Sequence, residues 1–123
     1  MADWQARLKS LKQKSTCRIT TRGRRTGKPH TVTIWFAAGE NGRVYLGTLK
    51  LGRDWPKNVA ANPEVVLEIG DLRLEGRATR LTEAPEVERV DSLMRNKYWL
   101  VWLVSWFGLR SGGAFEVQVS GEA

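Results

Sequence analysis

The chain has 123 residues, of which 41% are hydrophobic and 27% are charged. This length and composition are typical of one folded domain, which we expect to span residues 1–123, and not of a disordered segment. The single cysteine, Cys17, excludes a disulfide framework and a cysteine-based zinc site. The single histidine, His30, excludes a site built from several histidines, so we expect no metal centre.

The positive charge is concentrated at the start of the chain. Residues 1–28 contain nine basic side chains and one acidic side chain, a net charge of +8, whereas the rest of the chain carries a net charge of −1. This asymmetry indicates an anionic partner such as nucleic acid, a membrane surface or a small charged ligand. A solvated helix face followed by a basic turn would give the same pattern.

Neither a secretion signal nor a membrane span is predicted. The first residues lack the basic and then apolar run of a signal peptide. The longest apolar run, residues 98–107, is well short of the ~20 residues needed to span a bilayer. We therefore expect a cytoplasmic protein, either free or associated with a membrane surface.

The first half of the chain predicts one helix and three strands. Trp4, Leu8 and Leu11 recur at helical spacing and predict an amphipathic basic helix that ends at residue 14. The stretches rich in β-branched and aromatic residues, which predict strands, are residues 17–21, 30–38 and 43–49. A Gly- and Pro-containing turn separates the first two strands, and an Asn-Gly turn typical of tight hairpins separates the last two.

The second half predicts two helices and three strands. A short helix over residues 55–61, capped by Asp54, is followed by a long helix over residues 85–107. The predicted strands are residues 64–69, 72–81 and 114–119. Six short strands joined by tight turns, with only one long helix, predict a mainly β protein whose antiparallel sheet closes into a small barrel.

The residues offer little for catalysis without a cofactor. A nucleophilic triad needs a base, and only His30 could serve; its place at the start of a strand favours a surface polar role. No spacing singles out a carboxylate pair, and no phosphate-binding P-loop motif is present. If the protein is an enzyme, a bound organic cofactor must carry the chemistry.

The most distinctive local feature is the basic turn, residues 22–28 (Arg-Gly-Arg-Arg-Thr-Gly-Lys). Its glycines allow backbone N–H groups to approach an anion closely. Arg24 and Arg25 can bind a phosphate with paired donors. The turn therefore indicates a phosphate site, and the alternative is an exposed hairpin whose arginines serve solubility.

A second feature is Trp55, in the first turn of the predicted short helix. Backbone N–H groups are free there and the helix dipole is positive, so this position suits a planar, charged ligand. The alternative is a core tryptophan that packs the helix onto the sheet.

Four segments taken together resemble a known superfamily. They are residues 20–29, the strand that ends at Trp35-Phe36, the hairpin 41–46 and the segment 55–65. In this order they are similar to the flavin/deazaflavin oxidoreductases, which are split β-barrels related to pyridoxamine 5′-phosphate oxidase. The most similar branch is the deazaflavin-dependent nitroreductases, which use coenzyme F-420. The resemblance implies a six-stranded antiparallel split β-barrel with an N-terminal helix and one long helix near the C-terminus.

The resemblance also implies a site for an anionic flavin-type cofactor, coenzyme F-420 or alternatively FMN. The residues of the basic turn implied to bind its phosphate region are Arg24, Arg25, Thr26 and Gly27. Lys28 would meet a carboxylate of the glutamate tail, and Lys50 would approach the anionic side of the cofactor. Trp35 and Trp55 would flank the planar ring.

The apolar run departs from the nitroreductase pattern, in which a tyrosine-bearing segment lines the substrate pocket. Here the run holds Tyr98 but is otherwise mostly tryptophan and aliphatic. We expect Trp99 and Trp102 to line the substrate pocket and Tyr98 to be the candidate proton donor. Because the run is apolar on nearly all sides, contact with a second copy of the chain, packing on the barrel and contact with a membrane are alternative interpretations.

We therefore expect an oxidoreductase that transfers a hydride from reduced coenzyme F-420 to an electron-poor, lipophilic substrate such as a quinone or a nitro compound. The alternative is a non-catalytic FMN or F-420 carrier of the same fold. A nucleic-acid-binding module is disfavoured, because the aromatic residues lie away from the basic stretch whereas single-strand binders interleave the two.

Overall fold

The computed structural model of the protein describes residues 3–48, 53–97 and 113–123. The helices are α1 (Asp3–Ser10), α2 (Asp54–Ala61) and α3 (Ala84–Lys97). The strands are β1 (Thr16–Arg22), β2 (Pro29–Ala38), β3 (Arg43–Thr48), β4 (Glu64–Ile69), β5 (Leu72–Leu81) and β6 (Gly113–Glu122).

The six strands close into an antiparallel barrel in the order β1-β2-β3-β6-β5-β4. Alternate residues of a strand face opposite sides of the sheet, so each strand contributes every second residue to the interior. Fully buried side chains such as Ile19, Leu46 and Leu67 fill that interior. The predicted mainly β, six-stranded antiparallel barrel is therefore confirmed, as are its N-terminal helix and a long helix towards the C-terminus.

The barrel is split along β2. This strand pairs with β1 over residues 29–35 but with β3 over only residues 36–38. In the described part of the chain, no strand pairs with the other edge of residues 30–35. Val32 and Ile34, on the interior face of β2, are consequently only partly buried, and a cavity opens there.

Helix α1 covers the end of the barrel where the β2–β3 and β4–β5 turns lie. Its Trp4 packs against Gly42 of the first turn, and Leu11, just beyond the helix, packs against Gly70 of the second. Leu8 is buried in the core between them. The predicted apolar stripe therefore faces the barrel, which leaves the basic side chains of the helix in solvent.

The predicted first helix was too long at its C-terminal end. Helix α1 ends at Ser10, because the Leu11 N–H is shared between the carbonyls of Arg7 and Leu8 at 3.1 Å each. Such shared hydrogen bonds are common where a helix ends. The turn that follows places Leu11 beside Gly70, a contact that a straight helix pattern does not anticipate.

Helix α3 packs on the outside of the barrel, where Val90 and Met94 join an apolar cluster with Tyr45. The predicted long helix is confirmed from residue 85 to residue 97, and its predicted continuation over 98–107 lies outside the described residues. Among the helices described, none has the length and apolar character required to cross a membrane.

Two titratable groups have strongly shifted pKa values inside this framework. The Lys97 ammonium lies 3.7 Å from the centroid of the Phe36 ring and donates a 2.9 Å hydrogen bond to the Phe36 carbonyl. Burial lowers the pKa of Lys97 to about 8, and burial raises the pKa of the Cys17 thiol to about 12. The thiol therefore stays protonated, whereas the ammonium loses its proton more easily than an exposed lysine.

Candidate functional site

The basic turn, residues 22–28, is a closed loop between β1 and β2. The Gly23 N–H donates to the Lys28 carbonyl, and the Gly27 N–H donates to the Gly23 carbonyl, both at 2.8 Å. Gly27 has a φ of +72°, a left-handed conformation that residues with a side chain disfavour. The two glycines that the sequence marks as permissive therefore both shape the loop.

The turn presents donors that the rest of the described chain does not use. The N–H groups of Arg25 and Thr26 make no hydrogen bond within the described residues. In the same part of the chain, the exposed side chains of Arg25 and Lys28 form no ion pair. Successive free N–H groups beside two cations form the kind of concavity that binds an anion.

Arg24 is held differently from Arg25. Its Nη1 donates to Oδ1 of Asn58 at 2.9 Å and lies 3.5 Å from Oδ1 of Asp54, and its backbone N–H donates to the same Asn58 oxygen at 3.2 Å. Asn58 in turn donates from Nδ2 to the Thr21 hydroxyl at 3.1 Å. This polar network fastens the basic turn to helix α2.

Two cavities adjoin at this place. The larger, of about 620 Å³, lies at the split in the barrel and is lined by Thr16, His30, Val32, Thr33, Ile34, Trp35, Gly47, Arg53, Asp54 and Trp55. The smaller, of about 400 Å³, is lined by Gly23, Arg24, Arg25, Thr26, Lys28, Pro29, His30, Asp54 and Asn58. His30 and Asp54 line both cavities, so one ligand can extend from the aromatic cavity into the basic one.

The two tryptophans predicted to flank a ring both line the larger cavity, but their burial differs. Trp35 on β2 is partly exposed. Trp55 on α2 is 2% exposed, and its ring lies 4.9 Å from that of Phe115 at a tilt of 56°. Trp55 therefore packs α2 onto the barrel, as its alternative interpretation held, and Trp35 offers a ligand the larger ring surface. The ring-flanking role of both residues stays a prediction.

The predicted role of Asp54 as a helix cap is wrong. Helix α2 begins at Asp54, and Arg53 occupies the N-cap position without a side-chain capping hydrogen bond. The Asp54 carboxylate lies near the Arg24 guanidinium and faces both cavities. A carboxylate in the first turn still benefits from the helix dipole. Its ionic partner comes from a distant turn, so local capping rules could not identify it.

The structure brings together four of the predicted cofactor-binding residues, Arg24, Arg25, Thr26 and Lys28, on the wall of the smaller cavity. Gly27 shapes the same turn. Four further predicted residues, Lys50, Tyr98, Trp99 and Trp102, lie outside the described residues, so their roles remain predictions.

Asn58 has no role predicted from the sequence, and His30 has only a predicted surface role. Asn58 is 2% exposed, yet it connects the turn to α2. A signal was present: Asn58 lies three residues after Trp55 and four after Asp54, so all three share one face of the helix. His30 is exposed, as expected, but stands where the two cavities meet.

The residues present fit a ligand that combines a flat ring with an anionic group. The larger cavity falls within the roughly 300–1,000 Å³ typical of small-molecule sites. It carries one partly exposed indole, while Arg25, Lys28 and free N–H groups line the smaller cavity. Among the residues described, no group of three or more His, Cys, Asp or Glu could hold a metal ion.

Comparison with protein families matches residues 4–120 to the family described as pyridoxamine 5'-phosphate oxidase. The chain therefore belongs to this family, and the predicted relation to pyridoxamine 5′-phosphate oxidase is confirmed. Comparison with curated proteins gave no significant match.

Solved structures share the fold across nearly the whole chain. A conserved hypothetical protein from Mycobacterium tuberculosis has a TM-score of 0.76 at 21% identity, covering 99% of this chain and 82% of that one. An F-420-H2-dependent reductase, FDR-A, has a TM-score of 0.68 at 27% identity, covering 85% and 94%. An FAD-binding protein from Mesorhizobium loti has a TM-score of 0.69 at 16% identity, covering 99% and 90%.

Proposed function

We propose that the protein is an oxidoreductase that binds reduced coenzyme F-420 and reduces an electron-poor, lipophilic substrate such as a quinone or a nitro compound. The observation that carries this proposal is the contact between the two cavities at His30 and Asp54. A cofactor with a flat ring and an anionic tail matches that combination of an indole-lined and a cation-lined space. Membership of the family and the similarity to an F-420-H2-dependent reductase support it further.

In this proposal the bound cofactor supplies a hydride, and the protein binds, orients and shields it. Arg25, Lys28 and the free N–H groups of the basic turn bind the phosphate and the acidic tail by charge-assisted hydrogen bonds. Trp35 supplies a stacking surface for the ring, an interaction worth roughly 1–3 kcal/mol for a base on an aromatic side chain. Tyr98 is the predicted donor of the one proton that the substrate would need in addition to a hydride.

A non-catalytic flavin carrier is the second candidate function. The similarity to an FAD-binding protein supports flavin binding, and the same two cavities suit the ring and phosphate of FMN. This candidate predicts a bound cofactor without turnover.

Two measurements separate these functions. The purified protein is titrated with coenzyme F-420 and, separately, with FMN, and binding is followed by quenching of tryptophan fluorescence. Oxidation of reduced F-420 is then measured with a panel of quinones and nitroaromatic compounds. The proposal expects tighter binding of F-420 and steady turnover with at least one acceptor. Binding without turnover supports the carrier, and failure to bind either cofactor contradicts both candidates.

A further inference from the structure

The side chain of Asn58 uses three of its hydrogen-bonding positions inside the protein. Its Oδ1 accepts from the backbone N–H of Arg24 and from Nη1 of the same residue, and its Nδ2 donates to the Thr21 hydroxyl. Asn58 and Thr21 are 2% and 1% exposed. A buried amide satisfied on both sides fixes the orientation of its partners, because each broken bond would leave a desolvated polar group.

The same contacts restrict Arg24. Its backbone and its guanidinium are held by one oxygen of Asn58, and the Asp54 carboxylate nearby offsets its charge. Its side chain is 27% exposed. Arg25, one residue later, is exposed and forms no ion pair with any described residue. The two adjacent arginines therefore differ: Arg24 is held by Asn58 and Asp54, whereas Arg25 is not held by an ion pair with any described residue.

From these contacts we propose that Asn58 is a positioning residue, which holds Arg24 and the basic turn so that Arg25 and Lys28 meet the anionic part of the ligand. This inference rests on the proposed function. It reassigns Arg24 from a direct phosphate ligand to the anchor through which Asn58 acts. Helix α2 also carries Trp55, so the network fixes the basic cavity relative to the aromatic one.

Thr21 offers a test that leaves both cavities unchanged. It lines neither cavity, and Thr21→Val keeps its shape while removing the hydroxyl that accepts from Asn58. Thr21→Ser is the conservative control because it retains that hydroxyl. Asn58→Leu removes the whole connection. We expect Asn58→Leu to weaken F-420 binding by about tenfold or more and Thr21→Val by a few-fold, with Thr21→Ser close to wild type.

The salt dependence of binding distinguishes positioning from direct contact. Arg25→Ala removes a charge, so the dependence of affinity on ionic strength becomes shallower. Asn58→Leu and Thr21→Val remove no charge, so the affinity falls while its dependence on ionic strength stays parallel to that of wild type. Wild-type affinity in both variants overturns the inference, as does a slope that flattens in Thr21→Val.

Limited trypsin digestion of the protein without ligand provides a readout that does not require the proposed function. Trypsin cleaves after Lys and Arg except before Pro, so the basic turn contains three sites, after Arg22, Arg24 and Arg25. Lys12 and Lys14 after α1 serve as internal control sites. We expect Asn58→Leu and Thr21→Val to accelerate cleavage in the turn several-fold relative to the control sites. Unchanged relative cleavage overturns the inference. If wild-type protein binds neither cofactor, the proposed function fails and the cleavage result alone decides the role of Asn58.

Discussion

Each of the two turns at the ends of β2 contains a glycine in the left-handed conformation, but the surroundings of the two glycines differ. Gly42 in the β2–β3 turn and Gly27 in the basic turn have φ values of +73° and +72°. A Cβ added at Gly42 would lie 2.5 Å from the Trp4 ring, whereas one added at Gly27 would meet nothing within 4 Å. The β2–β3 turn is part of the packed core region, and the basic turn borders open space beside a cavity.

The comparison also separates two groups of positive charge that the sequence presents as one. Eight of the nine basic residues of the first 28 positions lie either in helix α1 and the segment that follows it or in the basic turn, at opposite ends of β1, and Arg18 lies on β1 itself. Seven residues of strand separate these ends by about 20 Å. The cation-lined cavity lies at the basic turn. The net charge therefore predicts that the partner is anionic, and the cavity beside the basic turn predicts where that partner binds.

The largest expected effect tests whether the region around α2 is well packed despite its cavities. Trp55→Ala should lower the free energy of unfolding by about 3–5 kcal/mol, because it removes a nearly fully buried indole. Trp35→Ala should cost far less stability and should instead weaken cofactor binding. Urea denaturation and a fluorescence titration of each variant measure the two effects. Equal losses of unfolding free energy in the two variants would contradict the assignment of Trp55 to the core and of Trp35 to the cavity.

The glycine pair tests the comparison directly. Gly42→Ala should lower the free energy of unfolding by about 2–4 kcal/mol, because the left-handed backbone strain adds to the displacement of Trp4. Gly27→Ala should cost only the backbone strain, about 1–2 kcal/mol. Chemical denaturation gives both values. Equal losses of unfolding free energy in the two variants would mean that Trp4 moves aside without cost and that the β2–β3 turn is not tightly packed.

Charge removal at the two ends of β1 should change binding at only one of them. Arg25→Ala combined with Lys28→Ala should weaken F-420 binding about 10–100-fold, because each side chain supplies a charge-assisted hydrogen bond to the anion. The matched control is Lys9→Ala with Lys12→Ala on or just after α1, which removes the same charge from exposed positions. Equal weakening in both double variants would show that long-range attraction, and not the turn itself, binds the ligand.

The smallest expected effect concerns pH and lies away from both turns. Lys97 loses its proton near pH 8 in the folded protein but near 10.5 when unfolded, so stability should rise as the pH increases through 8. The Cys17 thiol ionises near pH 9 when unfolded but near 12 when folded, so the contribution of this group to stability should fall above pH 9.

The free energy of unfolding, measured by urea denaturation between pH 7.5 and 10, should therefore rise from about pH 8 and level off above pH 9, where the opposing contributions of the two groups nearly cancel. Lys97→Met should remove the rise, so that stability falls above pH 9, and Cys17→Ala should let the rise continue above pH 9. A wild-type curve without a rise would mean that the Lys97 ammonium is less desolvated in solution than its surroundings indicate.

Short-range patterns predicted several elements closely. The bounds of β4 and β5 agree with the sequence prediction, because alternating apolar residues between turn-forming residues describe a strand locally. Strand β6 extends to Glu122, beyond its predicted end at residue 119, because β5 pairs with its last residues. That extension depends on a strand some 40 positions earlier in the chain.

The candidate site shows the same division. The glycines and cations of the basic turn were evident from adjacent residues, and so was the possibility that Trp55 belongs to the core. The separate states of Arg24 and Arg25 were not, because they depend on Asn58, which lies 34 residues after Arg24. Only folding shows which of two adjacent guanidinium groups a distant amide holds.

The sequence by itself determined the mainly β architecture, the helix that covers one barrel end, and the residue types available to an anion, since periodicity and turn chemistry act over a few residues. Tertiary structure decided which cations border a cavity, which indole faces the core, and which polar side chains fasten the turn to α2. Those properties depend on burial and on partners far apart in the chain, and both arise only when the strands close into a barrel.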